Sequence, residues 1–98
     1  MNLTKAQQKF LHNKIHHIKP VIWIGQNGIT ESVTAEIETA LDHHELVKIK
    51  LSVGDKALRN KTIEDICRAT HSLNIQSIGN IVSIYRRNDK QAVIDLPK

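Results

Sequence analysis

The spacing of apolar residues predicts a helix at the start of the chain. Thr4 is a suitable N-cap, and the apolar residues that follow recur every three or four positions as far as about Ile18. A run of four apolar residues, Val21–Ile24, then follows Pro20 and contains two isoleucines, a valine and a tryptophan. Such a run predicts a short buried strand in the middle of a sheet.

A second helix and a second strand follow. Thr30 is a suitable N-cap for a helix that runs to about His44, with His44 on its inner, apolar face. Leu46–Leu51 alternates between core positions and a second face that carries Lys48 and Lys50. Two strands joined by a helix predict a parallel pair with a right-handed crossover.

A third helix is predicted to begin between residues 58 and 62. Thr62 and Asp65 have the spacing of a capping arrangement, and the inward-facing residues after them recur at helical spacing. Asn74 is the expected end of this helix.

The last part of the chain predicts a hairpin and a tail. Ile75–Ile78 and Ile81–Arg87 have the composition of strands, and Gly79-Asn80 between them predicts a sharp turn. Residues 88–98 form a polar tail in which Ala92–Ile94 could add a short strand. The full pattern predicts one α/β domain over residues 1–98, with three helices and a mixed four-stranded sheet in the order α-β-α-β-α-β-β.

The connection between the first strand and the second helix is the candidate binding site. Gly25 and Gly28 bracket Gln26 and Asn27, and glycines let a ligand's backbone approach closely. A helix capped at Thr30 would direct its first N–H groups and its positive dipole end toward this loop. Both features favour phosphate, so the sequence predicts an anion-binding GxxG loop.

Charged residues are segregated along the chain, which has a formal net charge of +4. Residues 1–28 contain no acid, residues 29–45 contain no lysine or arginine, and residues 46–61 are basic again. One set of basic side chains follows helical spacing and predicts a stripe on the first helix: Lys5, Lys9, His12, His16 and Lys19. A polyanion would bind to the positive side of such a surface.

Other functional classes find little support in the sequence. His12 and His16 could share a metal ion, but no third ligand is evident, so no metal or other cofactor is predicted. Cys67 is the only cysteine, which excludes an intramolecular disulfide and fits a cytoplasmic protein. No catalytic arrangement and no apolar run of membrane-spanning length is present, so a non-enzymatic protein outside the membrane is expected. Aromatic residues make up only 3%, so base stacking is not expected to dominate binding.

Together these motifs resemble the bacterial YhbY family, the stand-alone form of the CRM domain (chloroplast RNA splicing and ribosome maturation). The resemblance covers nearly the whole chain and rests on these segments: Lys19-Pro20, Val21 to Thr30, Glu36-Ile37, His44 to Lys50, Ile78-Gly79 and Tyr85-Arg86. One departure concerns the loop, where many relatives carry lysine or arginine and this chain has Gln26-Asn27.

The resemblance implies an RNA-binding domain whose fold is similar to the C-terminal domain of translation initiation factor three. It also implies association with precursors of the large ribosomal subunit, whose RNA the protein would bind. A monomer is expected, although the sequence leaves the oligomeric state open. The candidate RNA-binding residues are Gly25, Gln26, Asn27, Gly28, Thr30, Lys5, Lys9, His12, His16, Lys19, Lys48, Lys50 and Arg86. If five of the lysines neutralise phosphates of single-stranded RNA, log affinity should fall with log salt at a slope of about −3.5.

The alternative is a protein-interaction module. In that hypothesis the acidic outer face of the second helix contacts a basic ribosomal protein, and neutralising Glu38, Asp42 and Glu45 abolishes the association. An RNA-modifying enzyme is disfavoured because no catalytic set is present.

Overall fold

The computed structural model describes residues 2–97 and contains three helices and four strands in the predicted order. The elements are α1 (Lys5–Ile15), β1 (Ile22–Ile24), α2 (Glu31–His44), β2 (Leu46–Leu51), α3 (Lys56–Thr70), β3 (Leu73–Ile78) and β4 (Ile81–Tyr85). The predicted α/β class with a mixed four-stranded sheet is therefore confirmed.

The strands lie in the order β1-β2-β4-β3. β1 is parallel to β2, and β4 is antiparallel to both β2 and β3. β1 is thus an edge strand, and the prediction of a buried central strand is wrong. Ile22 and Ile24 are buried, but Trp23 between them is 60% exposed, because only one face of β1 is covered by helices.

Helices α2 and α3 cover one face of the sheet. Their apolar residues join alternate residues of β1, β2 and β4 in the larger core, which includes Ile22, Ile24, Ile37, Leu41, Val47, Ile49, Leu51, Ile63, Ile66, Val82 and Ile84. His44, predicted on the inner face of α2, is exposed instead.

Helix α1 packs on the opposite face and covers only part of it. Leu11 and Ile15 of α1 form a smaller core with Leu46 and Tyr85, and Ile94 of the tail packs against it. Periodicity alone could not decide on which side α1 lies, because an apolar stripe fits either face of a sheet whose two faces both carry apolar residues.

The caps of α1 and α2 are as predicted, but α1 is shorter than predicted. Thr4 Oγ1 accepts from Gln7 N–H, and the Gln7 side chain accepts in return from Thr4 N–H. The helix ends at Ile15 rather than Ile18. Pro20 disfavours helical geometry at the residue before it, and the chain turns through His17 and Ile18 before β1.

Helix α3 begins earlier than predicted, at Lys56. Asp55 is its N-cap, and its carboxylate accepts from Ala57 N–H at 2.8 Å. Thr62 is buried inside the helix and donates to the Leu58 carbonyl at 2.8 Å. A threonine side chain can either cap a helix or bond to a carbonyl one turn earlier inside it. Spacing alone could not distinguish the two, and the predicted capping role of Thr62 is wrong.

The end of α3 also differs from its prediction. The helix ends at Thr70, and His71 follows it with a φ of 53°, in the left-handed region. Asn74, the predicted end, lies in β3.

The tail adds no strand in the part that the structure describes, residues 88–97. A buried carboxylate holds it: Glu45 Oε2 accepts from Asn88 N–H at 2.6 Å, and Glu45 Oε1 accepts from Val93 and Ile94 N–H at 2.9 and 2.6 Å. Glu45 was predicted on the outer face of α2 but is fully buried, because it is the C-cap of that helix and turns inward with a φ of 62°.

Candidate nucleic-acid interface

The Gly25–Gly28 turn projects from the end of β1. Gly28 N–H donates to the Gly25 carbonyl at 3.1 Å, and Gly28 has a φ of 71°. Gln26 and Asn27 at the tip are exposed, and a Cβ added at either glycine would meet no atom within 4 Å. The turn is therefore open to a ligand and is not packed under another segment.

The N-terminus of α2 follows this turn. Thr30 Oγ1 accepts from Val33 N–H at 3.1 Å, as predicted for the N-cap. Helix geometry leaves Glu31 and Ser32 N–H without an intrahelical acceptor. The Glu31 carboxylate lies in this first turn, where it competes with any other anion for the positive end of the dipole. Since the Gly28 N–H is also hydrogen-bonded within the turn, fewer N–H groups are free to bind an anion than the sequence suggested.

Helix α3 lies beside the turn. Gln26, Asn27 and Gly28 line a surface pocket together with Lys61 and Asp65 of α3. Lys61 Nζ is 3.9 Å from the Asp65 carboxylate in a solvent-exposed pair, which contributes little to stability. Lys61, which was not among the residues predicted for the site, thus lies beside the turn, and the basic composition of residues 46–61 was the available signal.

The half of the sheet that α1 leaves uncovered carries lysines and apolar side chains. Strand register places two rows of four residues toward it: Trp23, Lys50, Ile81 and Ile78, then Val21, Lys48, Ser83 and Gln76. Ser83 is buried in the second row, and the other seven residues are at least partly exposed. We call these eight residues the open sheet face. None of them is acidic, so this surface attracts an anion.

Lys48 and Lys50 have different environments within the open sheet face. Lys48 Nζ donates to the Ile15 carbonyl at 2.8 Å, where it caps the C-terminus of α1. Lys50 is exposed. Lys50 is therefore the lysine of this strand that is free to contact a ligand fully.

The basic stripe of α1 borders the open sheet face. His12 lines a pocket with Leu73, Asn74 and Ile75, which precede Gln76 on β3. The tail lies on another flank, where Lys14 lines a groove with Val93 and Ile94. At roughly 100° per residue, His12 and Lys14 are about 160° apart around the helix, so β3 and the tail lie on opposite flanks of α1. Three stripe residues on α1 or just after it are exposed: Lys5, Lys9 and His16.

Lys19 extends the basic surface toward β1. It is exposed and lines the groove that also contains Lys14, His17 and Lys48. Lys19 precedes β1, Lys50 pairs with Trp23 of that strand, and the Gly25–Gly28 turn follows it, so these three features are grouped around β1.

Arg86 lies apart from these residues. Its guanidinium donates to the Glu38 and Asp42 carboxylates at 2.6 and 2.8 Å and to the Thr70 carbonyl at 2.9 Å, and its side chain is 18% exposed. These bonds tie β4 to the two helices on the far face of the sheet. Arg86 is thus occupied within the fold.

Cys67 is a free cysteine, but its environment does not favour a nucleophilic role. Burial raises the pKa of the Cys67 thiol more than its hydrogen bond with Ser72 lowers it, which disfavours the reactive thiolate. Across this range, histidine, cysteine and carboxylate side chains form no group of three that could hold a metal ion. The helices of the same range are too short and too polar to cross a membrane.

Comparison with known proteins identifies the family to which this sequence is similar. The family model for the CRS1/YhbY (CRM) domain matches residues 3–86. A Haemophilus influenzae protein named RNA-binding protein is 43% identical and is aligned over 98% of this chain and 96% of its own. A Bacillus subtilis protein named a probable RNA-binding protein is 30% identical over 97% of this chain and 99% of its own.

A solved structure has the same fold. The solution structure of a hypothetical Staphylococcus aureus protein, described as a candidate RNA-binding protein, superimposes with a TM-score of 0.81 at 31% identity. The match covers 98% of this chain and all of the other.

Proposed function

Because the chain belongs to the CRS1/YhbY (CRM) domain family, we propose that it is an RNA-binding protein that acts without catalysis. One observation carries the proposal: an exposed glycine turn follows the edge strand whose outward face holds Trp23 beside Lys50, on a sheet face without acidic residues. The names of the relatives, which refer to RNA binding, support the same conclusion.

Contact with the RNA backbone is the proposed mode of binding. Lys50, Lys19 and the α1 stripe supply charge, and the Gly25–Gly28 turn lets a sugar-phosphate strand approach the main chain. Because the turn itself is uncharged, its contacts use amides and the neutral side chains of Gln26 and Asn27. Charge on neighbouring elements therefore provides most of the affinity in this mode.

The RNA proposed is that of a precursor of the large ribosomal subunit, with the protein acting as a single domain in the cytoplasm. This part follows from the family resemblance. Cross-linking the protein to cellular RNA and mapping the sites tests it, and sites spread evenly over unrelated transcripts would contradict it.

The alternative is a protein-docking site on α2. It is less favoured because the acidic residues assigned to it are bonded to other parts of the same chain. Glu38 and Asp42 bind Arg86, and Glu45 is buried against the tail. Neutralising these three residues would disturb the fold, so the effect would not report on docking. Glu36 is exposed and is a suitable substitution site for this purpose.

Paired substitutions test the proposed function. Lys9→Gln with Lys50→Gln should lower affinity for RNA about tenfold near 0.15 M salt, because two phosphate contacts are lost. Glu36→Gln, the matched charge-neutralising control on the other side of the sheet, should leave affinity unchanged. The measurement is a filter-binding titration of a ribosomal RNA fragment. Equal affinity of the lysine variant and the wild type would refute the proposed surface, and equally weakened binding by the Glu36 variant would show that the effect is not specific to that surface.

A further inference from the structure

Trp23 is a large aromatic residue that the fold leaves in solvent. It is 60% exposed on the outward face of β1, whereas its neighbours Ile22 and Ile24 are fully buried on the other face. A tryptophan offers a large rigid apolar surface, and burial in the core is its usual use. Packing of this domain therefore does not account for the position of its indole.

The surroundings of Trp23 favour a nucleic acid over an apolar partner. Lys50 of β2 is paired directly with Trp23 of β1, and no acidic residue belongs to the open sheet face. Gly25 is two residues further along the chain, so their Cα atoms are at most about 7 Å apart. An aromatic face, a free ammonium group and an open backbone turn thus lie within the reach of one or two nucleotides.

These positions match what a nucleotide presents. The phosphate is anionic and fits Lys50 and the turn, and the base has an apolar π-face that fits an indole. In an A-form duplex the base faces are stacked on one another and are closed to a side chain, so only an unpaired base could use Trp23.

We infer that Trp23 is a stacking platform for one unpaired base, and that the preferred RNA has a loop, bulge or single-stranded end at the Gly25–Gly28 turn. The inference rests on the proposed RNA-binding function and narrows its substrate. It also revises the expectation from composition, because a single exposed aromatic suffices for one stacked base even where aromatics are scarce.

Trp23 is the only tryptophan in the chain, so its fluorescence reports directly on the platform. Titration with single-stranded oligouridylate should quench the emission as the base stacks. A fully paired RNA duplex of equal length and inorganic polyphosphate should bind through charge with little quenching. Equal quenching by polyphosphate, or binding of oligouridylate without quenching, would overturn the inference.

Substitutions provide an independent test. Trp23→Ala should reduce affinity for oligouridylate about 5- to 100-fold, the range for loss of one stacked base, and should leave duplex affinity nearly unchanged. Trp23→Phe should restore part of the loss, since an aromatic face remains. Because the side chain is exposed, both variants should keep the fold, and thermal melting of each variant checks this.

Ile78→Ala is the matched control. Ile78 is 65% exposed in the same row, but it lies three strand spacings from Trp23, about 14 Å. Stacking of one base leaves the Ile78 variant at wild-type affinity. If the row instead binds an apolar protein surface or a second copy of the chain, both variants should lose that association in analytical ultracentrifugation, and the inference is overturned.

The outcomes separate the two proposals. Wild-type RNA affinity in Trp23→Ala, together with the loss caused by the lysine substitutions, would refute the platform and leave RNA binding in place. Absence of any RNA binding at low salt would refute the proposed function itself.

Discussion

Glu45 acts on three parts of the molecule, through its backbone, its carboxylate and its charge. Its backbone ends α2 with a positive φ of 62°, a conformation that is uncommon for a residue with a Cβ. Its buried carboxylate accepts hydrogen bonds from three backbone N–H groups of the tail. It also affects Tyr85: burial raises the pKa of the Tyr85 phenol above its ordinary value, the Glu45 charge raises it further, and Arg87 lowers it. The residue is therefore structural, although its position after an acidic helix suggested a solvent-facing role.

Replacing Glu45 should release the tail. Glu45→Gln removes the charge and places an NH₂ group, which cannot accept a hydrogen bond, opposite at least one of the three backbone N–H groups. Because that N–H group is left without an acceptor, we expect a loss of about 1–3 kcal/mol in the free energy of unfolding. Urea denaturation measures this loss, and faster hydrogen exchange at Val93 and Ile94 should accompany it. Glu36→Gln, an exposed neighbour on α2, should change stability by less than about 0.5 kcal/mol. A Glu45→Gln variant as stable as the wild type would contradict the assigned role.

At the scale of elements, the β1–α2 connection combines a rigid start with an open tip. Gly28 closes the turn through its amide and needs its positive φ, and Thr30 fixes the first turn of α2. Gly25 differs, because its φ lies outside the left-handed region and the space around it is open. A side chain at Gly25 therefore changes access to the turn with little backbone strain.

Gly25→Ala should weaken RNA binding while stability is kept. The added methyl group occupies the space through which a phosphate reaches the main chain, and loss of one charge-assisted hydrogen bond corresponds to a decrease of about 10- to 150-fold in affinity. Gly54→Ala is the control, since Gly54 has the same ordinary φ and open surroundings but precedes the Asp55 carboxylate. Unchanged RNA affinity in the Gly25 variant would remove the turn from the interface.

At the scale of the whole molecule, the sheet separates two surfaces of different charge. The side with α2 carries most of the acids, and Arg86 pairs with two of them. The side with α1 carries the stripe and the open sheet face. Helices α2 and α3 cover β1, β2 and β4 on their side, whereas α1 alone covers a smaller part of the other side, which leaves part of the sheet accessible.

The salt dependence of RNA affinity measures the size of the basic surface. Five lysines were assigned from sequence, but Lys48 is bonded to the end of α1, so four remain: Lys5, Lys9, Lys19 and Lys50. With about four phosphates neutralised on single-stranded RNA, log affinity should fall with log salt at a slope of about −2.8. Titrations between roughly 50 and 300 mM salt give this slope. A slope near zero would contradict binding to the RNA backbone, and a slope of about −3.5 would show that Lys48 also contributes.

Local sequence patterns determined the element order, the bounds of β2, the caps at Thr4 and Thr30 and the hairpin turn. Alternation, capping and turn formation depend on residues within a few positions of one another, so one sequence is enough to recognise them. The same local origin explains the error at Thr62, where a threonine suits a cap and a helix interior equally well.

Only the tertiary structure decided which charged and aromatic residues are available to a ligand. Arg86, Lys48 and Glu45 are charged in the sequence, yet their partners lie 48, 33 and up to 49 residues away. Trp23 is apolar, yet it is exposed because β1 is at the edge of the sheet and α1 does not cover it. Availability depends on what packs against a side chain from distant parts of the chain, and hydrophobic periodicity carries no information about that.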